Sequence, residues 1–406
     1  MYVPLSLLDA PIRDYPWGSR TALAQLQGRS VPSDGPEAEL WVGAHPASPS
    51  IVVADGAEVA LDAAIASDPR AWLGDDLLRR FGARLPFLLK VLAADQPLSL
   101  QLHPTADQAG GGFAREEERG VPIDAPVRNY RDDWPKPELL RALTPFEALC
   151  GFRATSASHR LFVELGVPAL AWLADGLQRG DAVLGPAVQR LLTLPEDDRE
   201  PLVAAVADAC ARLVAAGGAW IDEAANARAL AERYPTDPGV VVALLLEFVR
   251  LAPGESIHLP AGNLHAYLSG VGVEIMASSD NVLRGGLTQK HVDVDELLDV
   301  LDARSLPVPR VVPVRAGAEL VYPSPAPHFR LAEVTVDRTP ARLDERGPQL
   351  LLCTEGTIAV TAGGRRVEMT SGQAAVASAA AGIAEVAGRG TLFRATVNDD
   401  DRVAVR

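Results

Sequence analysis

The sequence predicts a mainly β fold interrupted by one block of helices, and three observations lead there. Short apolar runs broken by Gly, Pro and Asp fill the chain from Pro4 to about Phe152. An Ala- and Leu-rich block with helical spacing follows, from about Thr155 to Phe248. Strand patterning then returns after Pro253-Gly254 and continues as Gly-punctuated alternation from about Gly317 onward. With 406 residues, 48% of them apolar, the chain is long enough for two or three domains.

In the first block, Leu40 to Gly43, Ile51 to Val53 and Phe87 to Leu92 read as strands. The stretch from Thr105 to Asp133, with Gly110-Gly111-Gly112 and the charged residues Arg115 to Arg119, reads as a mobile loop over a site. In the second block, Leu202, Ala205, Val206, Ala209 and Leu213 fall at helical spacing behind the acidic start Glu196-Asp197-Asp198. In the last block, Leu350 to Cys353, Thr357 to Thr361 and Ala374 to Ala377 alternate between turns. The expected layout is a β domain over 1–152 and 250–316, a helical insertion over 153–249, and a second small barrel over 317–406. The regular strand and turn spacing suits a jelly roll or cupin in both β parts.

A net charge of −15, 5% aromatic residues and the lack of a basic block argue against nucleic acid and against anionic membrane surfaces as partners. The start Met1-Tyr2-Val3-Pro4 has no basic segment leading into an apolar run. The longest apolar stretch, Val240 to Leu246, ends at Glu247, so neither export nor a membrane span is expected. Cys150, Cys210 and Cys353 form no CxxC pair, which leaves a reducing, cytoplasmic compartment as the expectation; a monomer is expected without a sequence signal behind it. Lysine supplies only three of the 38 basic residues: Lys90, Lys136 and Lys290. Arginine stays protonated in proteins whereas a buried lysine can be tuned, so these three merit inspection, although codon usage explains their scarcity equally well.

The run Leu98-Ser99-Leu100-Gln101-Leu102-His103 alternates without exception, so Ser99, Gln101 and His103 share one face of a strand. That face lines either solvent or a ligand cavity. In Trp134-Pro135-Lys136-Pro137-Glu138 the prolines hold the backbone extended and set Lys136 beside Glu138, an arrangement that also fits an ordinary surface ion pair. From Ala252 to Tyr267 the pattern is strand, turn and strand, with Pro260-Ala261-Gly262 at the turn, His265 entering the second strand, and His258 read as structural. Gln101, His103, Glu138 and His265 together offer two nitrogens and two oxygens, a set that suits a divalent metal with positions left for substrate. Glu274 lies on the face opposite the alternating Val271, Val273 and Ile275, and Arg284, followed by two glycines, suits an anionic oxygen.

At this level of detail the chain resembles the type I mannose-6-phosphate isomerases. The motifs that carry the likeness, in order, are Leu40-Trp41-Val42-Gly43-Ala44-His45-Pro46, Leu85 to Leu92, Gln101 to Pro104, Lys136-Pro137-Glu138, Leu143 to Phe146, Cys150 to Arg153, and Ser279-Asp280-Asn281 leading to Arg284 to Thr288. The resemblance implies zinc held by Gln101, His103, Glu138 and His265, a small phosphosugar substrate, and interconversion of mannose 6-phosphate with fructose 6-phosphate. It also implies His103 and Asp280 in ring opening. The family usually has a histidine immediately before Lys-Pro-Glu, and Pro135 stands there in this chain. Transfer of the proton between C2 and C1 through an enediolate therefore falls to Lys136, with Arg284 stabilising the oxyanion. Ser99 is the first choice for the phosphate, with Glu274 also in the sugar site and Lys90 or Lys290 as further anion contacts. Two histidines and a carboxylate also form a common non-haem iron site, so a metal-dependent dioxygenase and a non-catalytic sugar-binding protein are the competing readings. The last segment has His328 as its only histidine and is assigned a structural role.

Overall fold

The computed structural model describes residues 3–54, 56–343 and 347–398. Its strands pair antiparallel into one ten-stranded and one eleven-stranded sheet among the described residues. The strand Phe87–Ala94 shows how the first sheet is built. It is buried at every position, which a strand needs when both of its faces are covered. Leu89 and Val91 point into a core shared with Leu350, Leu352 and Phe393 of the other sheet, and alternation turns Leu88, Lys90 and Leu92 the other way.

The spine of the first sheet is the strand His265–Ala277. Its start pairs with Phe146–Phe152 and with Gln101, and its end pairs with Phe87–Ala94 and Glu138–Ala142. The bend between the two halves lies at Gly270, whose φ of 117° belongs to glycine and whose absent Cβ would meet the Pro145 carbonyl oxygen at 2.6 Å. His265 and Glu274 thus face one interior from opposite ends of a single strand.

The helical block runs from Thr155–Leu165 to Gly239–Ala243. Leu202, Val206, Ala209 and Leu213 of the helix Glu196–Ala216 are buried, whereas Ala205 faces solvent. The same core takes in Leu100, Leu102, Leu264 and Leu283. The insertion therefore braces the outer face of the segments that carry Gln101, His103 and His265.

Three expectations are corrected. The segment 1–152 does not form one β unit, because Leu5–Asp9 pairs with Ala374–Ala377 and with Ile51–Ala54 and so belongs to the second sheet. Periodicity identifies a strand but carries no information about its partner. The same segment also contains helices, among them Leu61–Ser67 and Pro69–Phe81, the latter begun by Asp68 capping the Ala71 amide at 3.1 Å. Finally, 105–133 is not loop throughout, because it contains the helix Ala106–Glu118. Thr105 and Gln108 form a capping box that starts the helix Ala106–Glu118, and the Tyr130 ring fills the space where a side chain at Gly112 would stand. Each helical glycine costs about 1 kcal/mol, which the cap and this ring contact offset.

His328 packs between Phe81, at the end of the helix Pro69–Phe81, and Trp134, with ring centroids 5.4 and 5.6 Å away. Burial, helped by Arg80, lowers its imidazole from 6.5 to about 4. The unfolded chain therefore binds this proton first as the medium acidifies. The contribution to stability is complete above pH 6.5 and is lost as pH falls toward 4, by up to about 2 kcal/mol at pH 5. Urea unfolding of His328→Phe at pH 7.5 and pH 5 should show a smaller acid-dependent loss than the parent chain, and an equal loss would clear His328 as its source.

Candidate metal centre

His103, Glu138 and His265 meet in the interior of the first sheet, each no more than 2% exposed. His103 Nε2 lies 3.2 Å from Glu138 Oε1, and His265 Nε2 lies 3.5 Å from Glu138 Oε2. Each Nδ1 faces a backbone carbonyl, that of Asn281 at 2.8 Å for His103 and that of Asn263 at 2.9 Å for His265. A carbonyl only accepts, so both Nδ1 atoms carry the proton and both Nε2 lone pairs point inward. His103 Nε2, His265 Nε2 and Glu138 Oε2 are buried and make no hydrogen bond. Candidate ligand atoms from the three residues all lie within 4.8 Å of one another. Three buried, unsatisfied acceptors aimed at one point are costly unless a cation stands among them, and this donor set suits zinc.

The electrostatics agree. Burial and Lys136 lower the His103 imidazole to about 4, which keeps its lone pair available at neutral pH. Burial opposes the charge on Glu138, but Lys136 and His103 outweigh it and hold the carboxyl well below its ordinary range. Lys136 Nζ is 3.0 Å from Glu138 Oε1. Gln101 is paired directly opposite His265, and Arg284 directly opposite Gln101, which places all three side chains on one face. Cys150 also registers with His265, but its thiol turns to Asn263 Oδ1 at 3.7 Å and stays outside the ligand cluster.

The centre opens into a cavity of about 810 Å³. Its floor holds Lys90 between Glu39 at 3.4 Å and Glu274 at 3.7 Å, with the ammonium 5.0 Å from the Trp41 ring centre. Burial disfavours this ammonium, yet the two carboxylates outweigh burial and raise it. Burial and Glu138 push Glu274 up to about 7 against the pull of Lys90, and Tyr267 donates to it at 2.7 Å. Arg131, Arg284 and Lys290 share the cavity wall with Ser99 and Asp280. Burial lowers both Arg284 and Lys290, and Arg131 lowers each further. Mutually repelling cations on a cavity wall are suited to an anion.

The segment 5–155 matches the family model described as the catalytic domain of type I phosphomannose isomerase. Mannose-6-phosphate isomerase from Escherichia coli is 39% identical over 389 residues, covering 94% of this chain and 97% of that protein. The chain belongs to the type I phosphomannose isomerase family. The mannose-6-phosphate isomerase of Saccharomyces cerevisiae is 31% identical over 408 residues, covering 90% and 91% of the two chains. A crystal structure of the Salmonella typhimurium enzyme with fructose 6-phosphate and zinc matches with a TM-score of 0.91 at 36% identity, over 98% of this chain and 100% of that one.

Within this phosphomannose isomerase chain the sequence-derived residues fall into three groups. His103, Glu138, His265, Gln101 and Lys136 gather at the centre, whereas Ser99, Asp280, Arg284 and Lys290 line the cavity beside it. Lys90 and Glu274 are brought together at the floor, where the lysine charge is already engaged by carboxylates. His258 is buried and stays outside the ligand cluster. His103 has Nδ1 at the Asn281 carbonyl and Nε2 turned toward the centre. Sequence reasoning missed Arg131, held through its amide by Asn281 Oδ1 at 2.7 Å, and Tyr267 and Glu39 on the floor. It also missed His45, although the motif containing it was visible.

Proposed function

We infer that this protein interconverts mannose 6-phosphate and fructose 6-phosphate at a zinc centre held by Gln101, His103, Glu138 and His265. The observation that carries this reading is the buried trio of unsatisfied ligand atoms opening onto a cavity with a cationic wall. Zinc in this donor set supplies an electrophile for a substrate oxygen. Family membership and the zinc and fructose 6-phosphate of the Salmonella typhimurium structure support the assignment.

The chain's own residues then divide the work. Arg131, Lys290 and Ser99 receive the phosphate, and Arg284, on the face shared with Gln101, stabilises negative charge developing on the sugar oxygens. Lys136, acting as the neutral amine left once its ammonium has released a proton, takes the proton from C2 and returns it to C1, and Asp280 opens the pyranose ring. Glu274, Lys90 and Glu39 fix the floor against which the sugar hydroxyls rest. Antiparallel pairing of the strands, with Gln101, Glu138 and His265 drawn from three of them, supports reading the sheets as cupin-type barrels. Three free, buried cysteines support a reducing, cytoplasmic setting.

The purified protein should turn over mannose 6-phosphate in an assay coupled to fructose 6-phosphate consumption. Absence of that turnover, with oxygen uptake on iron loading instead, would replace the isomerase reading by the dioxygenase one. Within the isomerase reading, Lys290→Ala should raise KM for mannose 6-phosphate about tenfold with kcat little changed, and Ser99→Ala should raise it less. An unchanged KM in both variants would move the phosphate elsewhere.

A further inference from the structure

Ring opening of the pyranose needs a group that takes the O1 proton and gives it back at O5. Among the carboxylates lining the cavity, Glu39 and Glu274 flank Lys90, and Glu138 belongs to the metal centre and pairs with Lys136. Asp280 differs from these, since its side chain is 38% exposed at the cavity wall and meets a single buried imidazole, that of His45, with Nε2 3.5 Å from Oδ1. His45 follows the strand Glu39–Val42 and is 4% exposed. The Ala47 amide lies 3.3 Å from its Nδ1 and donates to it, so the proton resides on Nε2 and faces Asp280. The Trp41 ring packs edge-on at 5.0 Å, and the Trp41 indole donates to Glu39 at 2.7 Å, which fixes the imidazole plane.

We propose that His45 is the positioning residue for ring opening, holding the Asp280 carboxylate toward the sugar. Asp280 accepts the O1–H proton as the electrons of that bond form C1=O. The C1–O5 bond then breaks toward O5, which takes the same proton back from Asp280, so the proton count closes on one carboxylate. His45 keeps its own proton throughout. Burial lowers the His45 imidazole, Asp280 opposes that shift, and Lys90, Lys136 and Arg13 reinforce it, in keeping with a neutral donor. The 3.5 Å separation is long for a hydrogen bond and is the kind of contact that tightens with substrate bound.

The inference rests on the isomerase reading and on Asp280 acting in ring opening, and it is tested with [2-²H]mannose 6-phosphate. His45→Leu should lower kcat on the order of 10- to 100-fold, leave KM and bound zinc unchanged, and bring the deuterium isotope effect on kcat toward unity as ring opening becomes limiting. His45→Gln keeps an N–H directed at Asp280 and should recover most of both kcat and the isotope effect. Native kcat in His45→Leu, or a loss that leaves the isotope effect at its parental size, overturns the inference. If His45→Leu does not fold, a large loss of kcat in zinc-loaded His45→Gln overturns it instead. Asp280→Asn separates the two levels: native turnover there removes Asp280 from ring opening, whereas a loss there without one in His45→Leu removes His45 alone.

Discussion

Replacing Glu138 with alanine is expected to release the metal and abolish turnover together. Glu138 is the only anionic donor in the ligand cluster, and both imidazoles approach its two oxygens, at 3.2 and 3.5 Å. Without it, two neutral imidazoles and an amide remain, and the Lys136 ammonium, 3.0 Å from the lost carboxylate, has no counterion beside a site meant for a cation. Zinc per chain should fall to background and kcat/KM by at least about 10³, or roughly 4 kcal/mol of transition-state stabilisation. Elemental analysis alongside the coupled assay reads both. Full zinc content with native turnover would place the metal elsewhere.

Lys136→Met should separate chemistry from metal binding. Pro135 and Pro137 fix the backbone on either side of Lys136, and the strand Glu138–Ala142 begins one residue later, so methionine keeps the chain path and most of the side-chain volume. Zinc should be retained, whereas kcat should drop 10²- to 10⁴-fold, the usual contribution of a positioned acid or base. Exchange of the C2 proton with deuterated solvent should fall in parallel. Near-native exchange in this variant would transfer the C2 proton to another group.

The contrast between what was legible and what was not has physical causes. Ser99, Gln101 and His103 could be placed on one face because strict alternation determines it, and Lys136 beside Glu138 because prolines hold the backbone extended, but neither signal brings these segments and His265 together. His45 carried no such signal: it follows a strand in irregular chain, and its partner Asp280 lies 235 positions later, brought close only by folding. Arg131 was invisible for a similar reason, since its position depends on the Asn281 side chain, which accepts from the amides of Arg131 and Asp132 and donates to the carbonyls of Asp132 and Trp134. The helix Ala106–Glu118 was misread because three consecutive glycines outweighed the Thr105 and Gln108 capping pair, and the Tyr130 ring that makes Gly112 useful is a tertiary contact. The excursion of Leu5–Asp9 into the second sheet belongs to the same class, because strand partners are chosen by the whole fold.

X-ray absorption at the zinc edge, on protein loaded with one equivalent, addresses the convergence of these four side chains most directly. A shell made only of nitrogen and oxygen, with outer scattering from two imidazoles that disappears by one ring in His265→Ala, is the result expected here. Sulfur in the shell, or a spectrum unchanged by that substitution, would contradict it.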